Sequence, residues 1–252
     1  MKKGLFISLL LLSVVWACEE PNITSQNEPR DPDNIRLSVI PFYGDSAMVT
    51  DTAYLTDQGE LFYFDSLKLL ASNLMFIPVQ SDDTVSADLE YELIGPPFYS
   101  DLIDSIPPGG YNGKFILTLG VDSFPLGPNG SMQVPLKLAS NEELQLPFGF
   151  GYYHFLLYGK VVTSAPTDTV EETEEVRWKI GGLELQDTVY AQTTAFSVDN
   201  QNEMRLVLTC NLKDALGQVF IENNPVITSD PSDFQDFQRA QLIRNTLEFG
   251  LF

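Results

Sequence analysis

The chain has 252 residues, with 35 Asp and Glu against 14 Lys and Arg, a formal net charge of −21, 44% hydrophobic residues, one His and two Cys. That apolar share supports a packed core and argues against global disorder, while so acidic a surface repels phosphates and excludes nucleic-acid binding by charge. A single histidine leaves few metal-dependent hydrolases open, and any Ser-His-Asp catalyst would have to use His154.

The amino terminus reads as an export signal. Lys2 and Lys3 precede an apolar run from Leu5 to Val15, too short to span a bilayer, and Ala17 then precedes Cys18. Val15-Trp16-Ala17-Cys18 resembles the bacterial lipoprotein box, so residues 1–17 are expected to be a lipoprotein signal peptide and Cys18 the lipid attachment site. Residues 18–34 are acidic, proline-punctuated and without periodicity, which predicts a flexible tether. Glu19 and Glu20 resemble the acidic export tag of surface lipoproteins in Bacteroidetes-type bacteria. The expected location is the outer membrane, lipid-anchored, with the domain facing either the periplasm or the cell surface.

From Ile35 onward the sequence alternates with period two, broken by Gly, Pro, Asn and Asp. Strands are predicted over Ile35–Phe42, Leu61–Leu69, Leu74–Val79, Leu89–Leu93, Lys114–Val121, Met132–Leu138, Tyr152–Tyr158, Arg177–Leu185 and Thr193–Val198. In Lys114–Val121 the inward residues are Phe115, Leu117, Leu119 and Val121. Met204, Leu206, Leu208 and Cys210 share one face of a further strand, which makes Cys210 a buried structural thiol. Thr163–Glu175 has no apolar pattern and reads as a solvated hairpin loop. A short helix is predicted at Lys213–Phe220. A longer one is predicted at Ser232–Leu247, with Asp230 as N-cap, Pro231 in the first turn, and Phe234, Phe237, Ala240 and Ile243 along its apolar face. The fold class is therefore all-β, an antiparallel β-sandwich over 35–252 with a carboxy-terminal α-helix packed on it.

Catalytic signatures are missing: there is no G-x-S-x-G, H-E-x-x-H, Walker loop or C-x-x-C. His154 lies between Tyr152, Leu156 and Tyr158 on one predicted strand face, where a packed histidine is the simpler reading and a metal ligand the weaker one. Asp31/Asp33, Asp82/Asp83 and Asp101/Asp104 come nearest to a calcium pattern without matching one.

Several short segments, in order, resemble the MbnP-like family, exported β-rich proteins named for the periplasmic partner encoded with methanobactin biosynthesis. Gly59 to Leu67 and Ala71 to Leu74 resemble its first long strand and "S-N-L" stretch. Ile106 to Tyr111, leading to Leu119-Gly120-Val121-Asp122, is similar to its "G-x-Y … x-G-V-D" segment. Gly151, Tyr152 and Gly159 fit its "G-Y-x-F-x-x-x-x-G" strand, and Ile180-Gly181-Gly182 ends its "H-I-G-G" turn. Asn245 to Phe249 resembles its helical tail. The motif positions are thus Gly109, Tyr111, Gly120, Asp122, Gly151, Tyr152, Gly159, Gly181 and Gly182.

The resemblance implies a copper-binding protein whose partner is a di-haem enzyme of the cytochrome-peroxidase type, which oxidises a tryptophan of the binding protein to kynurenine. It also implies which residues would serve: a "W-x-W" pair just before "G-Y" and the histidine of "H-I-G-G". In this chain those positions hold Leu146, Phe148 and Lys179. Leucine and phenylalanine cannot coordinate, and lysine must lose its proton to do so. The fold is expected to carry over and the copper chemistry is not, so no cofactor and no confident metal ligand are expected. The expected role is that of a membrane-anchored binding protein and not an enzyme. An altered metal site built on His154, tyrosines and carboxylates is one alternative, and a hydrolase using paired acids is another.

Overall fold

The computed structural model describes residues 35–81, 83–87, 92–95, 99–103, 106–120, 141–146, 151–163, 171–182, 185, 187–199 and 204–251. The signal segment 1–17, Cys18, the tether 18–34, Asp122, Phe148 and the strand predicted at Met132–Leu138 lie outside these residues. In chain order the strands are β1 (Ile35–Tyr43), β2 (Ser46–Ala47), β3 (Ala53–Leu55), β4 (Leu61–Pro78), β5 (Val85–Ala87), β6 (Glu92–Ile94), β7 (Tyr99–Ile103), β8 (Gly109–Leu119), β9 (Tyr153–Val162), β10 (Thr173–Gly181), β11 (Asp187–Gln192), β12 (Phe196–Val198), β13 (Met204–Asn211), β14 (Val226–Ile227) and β15 (Glu248–Leu251). The helices are α1 (Lys213–Gly217) and α2 (Phe234–Thr246), and a 3-10 turn lies at Glu142–Leu144.

Two sheets face each other across the core. One has the order β15-β13-β1-β2, with β7 also on β1; the other runs β11-β8-β4-β9-β10-β14, with β12 on β8 and β3, β5 and β6 on β4. Most pairs are antiparallel, as predicted, but β1 runs parallel to β13 from Ile35↔Met204 to Phe42↔Asn211, and β10 runs parallel to β14. Side-chain alternation is the same in either direction, so strand polarity was not readable from the pattern.

The long strand β4 joins two segments predicted as separate strands. Its main-core residues are Phe62 and Phe64, then Leu67, Leu69 and Ala71, then Leu74 and Phe76, while Leu70 is buried in a separate cluster. The parity changes twice, and at each change the pairing register slips, between Phe64 and Ser66 against β9 and between Ser72 and Leu74 against β8. Asn73 takes a left-handed φ of 51° at the second slip. These are β-bulges: one extra residue bends the strand while the apolar side chains stay inward. The asparagine that read as a strand break is a bulge residue within one strand.

Val121 lies outside the described residues; the following inward positions fall where predicted. Phe115, Leu117 and Leu119 of β8 are buried, as are Leu206, Leu208 and Cys210 of β13. Cys210 is fully buried, and that burial pushes its thiol pKa up, so it is an inert core residue. Trp178 is also fully buried, and its indole N–H donates to the Asn224 carbonyl at 3.0 Å.

Both helices are shorter than predicted. α1 ends at Gly217. In α2 the N-cap is Asp233, whose carboxylate accepts from the Gln235 and Asp236 amides, and not Asp230. Asp230 instead accepts from the Ser232 amide and hydroxyl, closing the turn before the helix. The later start turns Phe234 outward, 71% exposed, and the buried face is Asp236, Ala240 and Ile243. The tail then forms β15, with Phe249 opposite Cys210. Thr173 to Glu175, predicted as loop, are the exposed first residues of β10.

Candidate functional site

Several motif glycines meet where β9 begins and β10 ends. The Gly182 amide donates to the Tyr152 carbonyl at 3.1 Å, and the Leu146 amide donates to the Gly151 carbonyl at 3.0 Å. Gly151 and Gly182 have φ of 118° and 94°, a region that favours glycine. Gly181 is tighter still, because a Cβ there would stand 2.4 Å from both the Tyr152 carbonyl oxygen and the Tyr153 Cα. Ser229 Oγ accepts from the Gly181 amide at 3.0 Å, and Asp236 accepts from the Thr228 and Asp230 amides. The turn is thereby tied to α2. Gly120 joins this end of the sheet: its amide donates to the Leu70 carbonyl at 2.8 Å.

The remaining motif positions lie elsewhere. Gly159 packs under the Phe62 ring. Gly109 and Tyr111 sit at the far end of β8, with Tyr111 opposite Pro78 of β4. That places them on the order of 25 Å along the strand from Leu70. Tyr111 is structural there: its hydroxyl donates to the Pro107 carbonyl at 2.7 Å, and its ring packs on Phe76 and Phe196.

His154 does not share a face with Leu156 and Tyr158 as predicted. Where Ile180 pairs with Phe155, the next residue Gly181 pairs with Tyr153, and His154 is the bulged residue between them. It is 3% exposed, and its Nε2 has no hydrogen-bond partner among the described residues. Burial pushes the ring down to about 4, a hydrogen bond to the Leu185 backbone opposes this, and the Arg244 charge adds to it.

The bulge puts Tyr153 on the outer face with Leu156 and Tyr158. In register across three strands, Lys68 of β4, Leu156 of β9 and Lys179 of β10 form one row, and the next row holds Ser66, Tyr158 and Arg177. The segment Asn141–Leu146 covers this face. The Asn141 side chain caps its 3-10 turn, and it meets the sheet through an isolated bridge between Gln145 and Tyr152.

Glu143 from that segment is the hub of the site. Lys68 Nζ donates to its Oε2 at 2.8 Å, the Tyr158 hydroxyl donates to its Oε1 at 2.5 Å, and Lys179 Nζ donates to its main-chain carbonyl at 3.5 Å. Lys68 also stands 5.6 Å from the Tyr158 ring centroid, and Lys179 stands 5.6 Å from that of Tyr153. Part burial alone would raise the Glu143 pKa. The hydrogen bonds from Lys68 and Tyr158 and the two lysine charges outweigh it and hold the carboxyl below its usual range. Burial, and then the Glu143 hydrogen bond, push the Tyr158 phenol up. Burial pushes Tyr153 to about 12, helped by Asp236 and Asp230.

Beneath Glu143, Leu144 and Leu146 pack with Leu70, Leu156 and Tyr153 in an apolar cluster separate from the main core. Lys68 and Glu143 are each about a third exposed, so their ion pair is worth ~0–1 kcal/mol. Full burial of Leu144 contributes roughly 1.5–3 kcal/mol and holds the segment more firmly than the charges do.

Lys179 and Leu146 were singled out from the sequence; Lys68, Glu143, Tyr153 and Tyr158 were not. Asn141 ahead of two acids was a readable cap. Nothing local pairs Lys68 with a residue 75 positions away. Among the described residues no three His, Cys, Asp or Glu side chains come together to hold a metal ion.

Two packed sheets, mostly antiparallel, with a carboxy-terminal helix and a motif-glycine turn beside a covered outer face, define a β-sandwich. The MbnP family model matches residues 32–230, and the chain belongs to the MbnP family. The match ends ahead of α2, so the Asn245 to Phe249 segment lies beyond it. Among solved structures the fold is similar to MbnP from Methylosinus trichosporium, with a TM-score of 0.50 and 10% identity over 86% of this chain and 97% of that one. At that identity the likeness concerns the fold alone. A comparison with curated proteins finds no match.

Proposed function

We propose that this is a membrane-anchored, extracytoplasmic binding protein of the MbnP family in which the metal-binding positions have lost their ligands and a lysine–tyrosine–glutamate site stands beside them. The donor set at those positions carries the reading. Leu146 is buried against Leu144 and Tyr153 and has no donor atom, and Lys179 is engaged with the Glu143 carbonyl and the Tyr153 ring. Copper favours imidazole and sulfur. The one imidazole is buried at a bulge beside Arg244, and Cys210 is buried among the core residues of β13. These residues do not fit copper. A peroxidase-type partner acting on an indole would meet leucine and phenylalanine at positions 146 and 148. Protein purified from copper-supplemented cells should carry well under one copper per chain by elemental analysis; a stoichiometric load would refute the replacement.

The anchor rests on the charged start, the short apolar run and the Ala17-Cys18 junction. Cys18→Ser should move the protein from the membrane to the soluble fraction, since acyl chains contribute about 0.8 kcal/mol per buried CH₂. An unchanged membrane fraction would show that Cys18 is not the attachment point.

A further inference from the structure

We infer that the face formed by Lys68, Tyr158 and Lys179 binds an extended acidic–aliphatic peptide segment, a glutamate followed by a leucine, and that Glu143 and Leu144 occupy it as an internal stand-in. This rests on reading the outer face as the binding site of the protein. The site supplies each part of such a recognition. Lys68 and Tyr158 take separate oxygens of one carboxylate, and Lys179 takes the main-chain carbonyl of the same residue. Beside them Leu144 fills a recess lined by Leu70, Leu156 and Tyr153 that belongs to no part of the main core. The following residue, Gln145, pairs by backbone with Tyr152, as an added strand would.

The charge distribution points the same way. In a chain of net charge −21, two lysines and a phenol converge on a single glutamate. Two of these donors reach the carboxylate and the third reaches the main-chain carbonyl of the same residue, which offers an anion a local minimum on a repelling surface. Leu144 is the main hold on the covering segment, so an incoming peptide has to supply a leucine in its place. The segment's backbone meets the sheet at the Gln145 bridge and the Leu146 amide, and the Glu143 side chain is 34% exposed, within reach of a competing carboxylate.

The probe is the segment's own sequence as a fluorescent, end-capped peptide, Asn-Glu-Glu-Leu-Gln-Leu, titrated against the full chain by anisotropy. Glu143→Gln weakens the internal occupant and should tighten peptide binding at least tenfold over wild type. Adding Lys68→Gln and Lys179→Gln should abolish it, and a peptide with Gln for its second Glu should not bind. Where Glu143→Gln does not fold, wild-type chain at millimolar peptide should lose hydrogen-exchange protection at the Leu146 amide. A folded Glu143→Gln chain that does not bind, binding indifferent to both lysine changes, or unaltered Leu146 protection would overturn the inference. Peptide binding together with stoichiometric copper would instead sink the replaced-metal reading and leave this one standing.

Discussion

Gly181→Ala is expected to destabilise the fold by about 3 kcal/mol or more, the upper end for overpacking a buried position. The added methyl would stand 2.4 Å from the Tyr152 carbonyl oxygen and 2.4 Å from the Tyr153 Cα, both backbone atoms that cannot swing aside. Moving β9 away breaks the Gly182–Tyr152 hydrogen bond and lifts Tyr153 off the outer-face cluster. Through Ser229 the strain also reaches the loop that Asp236 holds. For a domain of this size the loss corresponds to roughly 6–12 °C in Tm. Gly109→Ala is the control: among the described residues nothing lies within 4 Å of a Cβ there, so it should be near neutral although it occupies a motif position too. Equal effects of the two changes in thermal unfolding would remove the steric argument.

Acidification should weaken the fold through His154. An unperturbed imidazole takes its proton near pH 6.5, whereas the buried ring takes it near 4. Between those values the unfolded chain binds more protons. The stability contributed by keeping the ring neutral is therefore complete above about pH 6.5, falls as pH drops, and is exhausted below about 4. The shift corresponds to about 3 kcal/mol. Burial is the largest cause, and the charge of Arg244 on α2 adds to it, so the protonated ring would sit without solvent and beside a cation. Urea midpoints at several pH values between 7.5 and 4 should fall more steeply for wild type than for His154→Gln. Parallel curves would mean that the ring is not held neutral by the fold.

The sequence made the strands legible wherever alternation ran unbroken, as in Phe115, Leu117 and Leu119 of β8. It misled wherever one extra residue entered a strand. Asn73 looked like a boundary because asparagine favours turns, yet its left-handed conformation serves a bulge within β4. At the bulge in β9, strict alternation assigned His154 to the face that Tyr153 takes. In α2 two aspartates three residues apart could both cap, and pattern alone could not say that Asp230 serves the turn and Asp233 the helix. The motif glycines named the turn at Gly181 and Gly182, but the polar hub depends on contacts made far along the chain. Lys68, Glu143 and Tyr158 each look like ordinary surface residues until β4, β9 and the Asn141 segment bring them together.

We propose that the family fold persists here while the metal-binding residues have been replaced. Calorimetric titration of copper into the chain tests it most directly. The expected result is no saturable one-to-one site at sub-micromolar concentration, with weak, salt-screened binding spread over the acidic surface. A tight stoichiometric site abolished by His154→Ala or Lys179→Ala would contradict it.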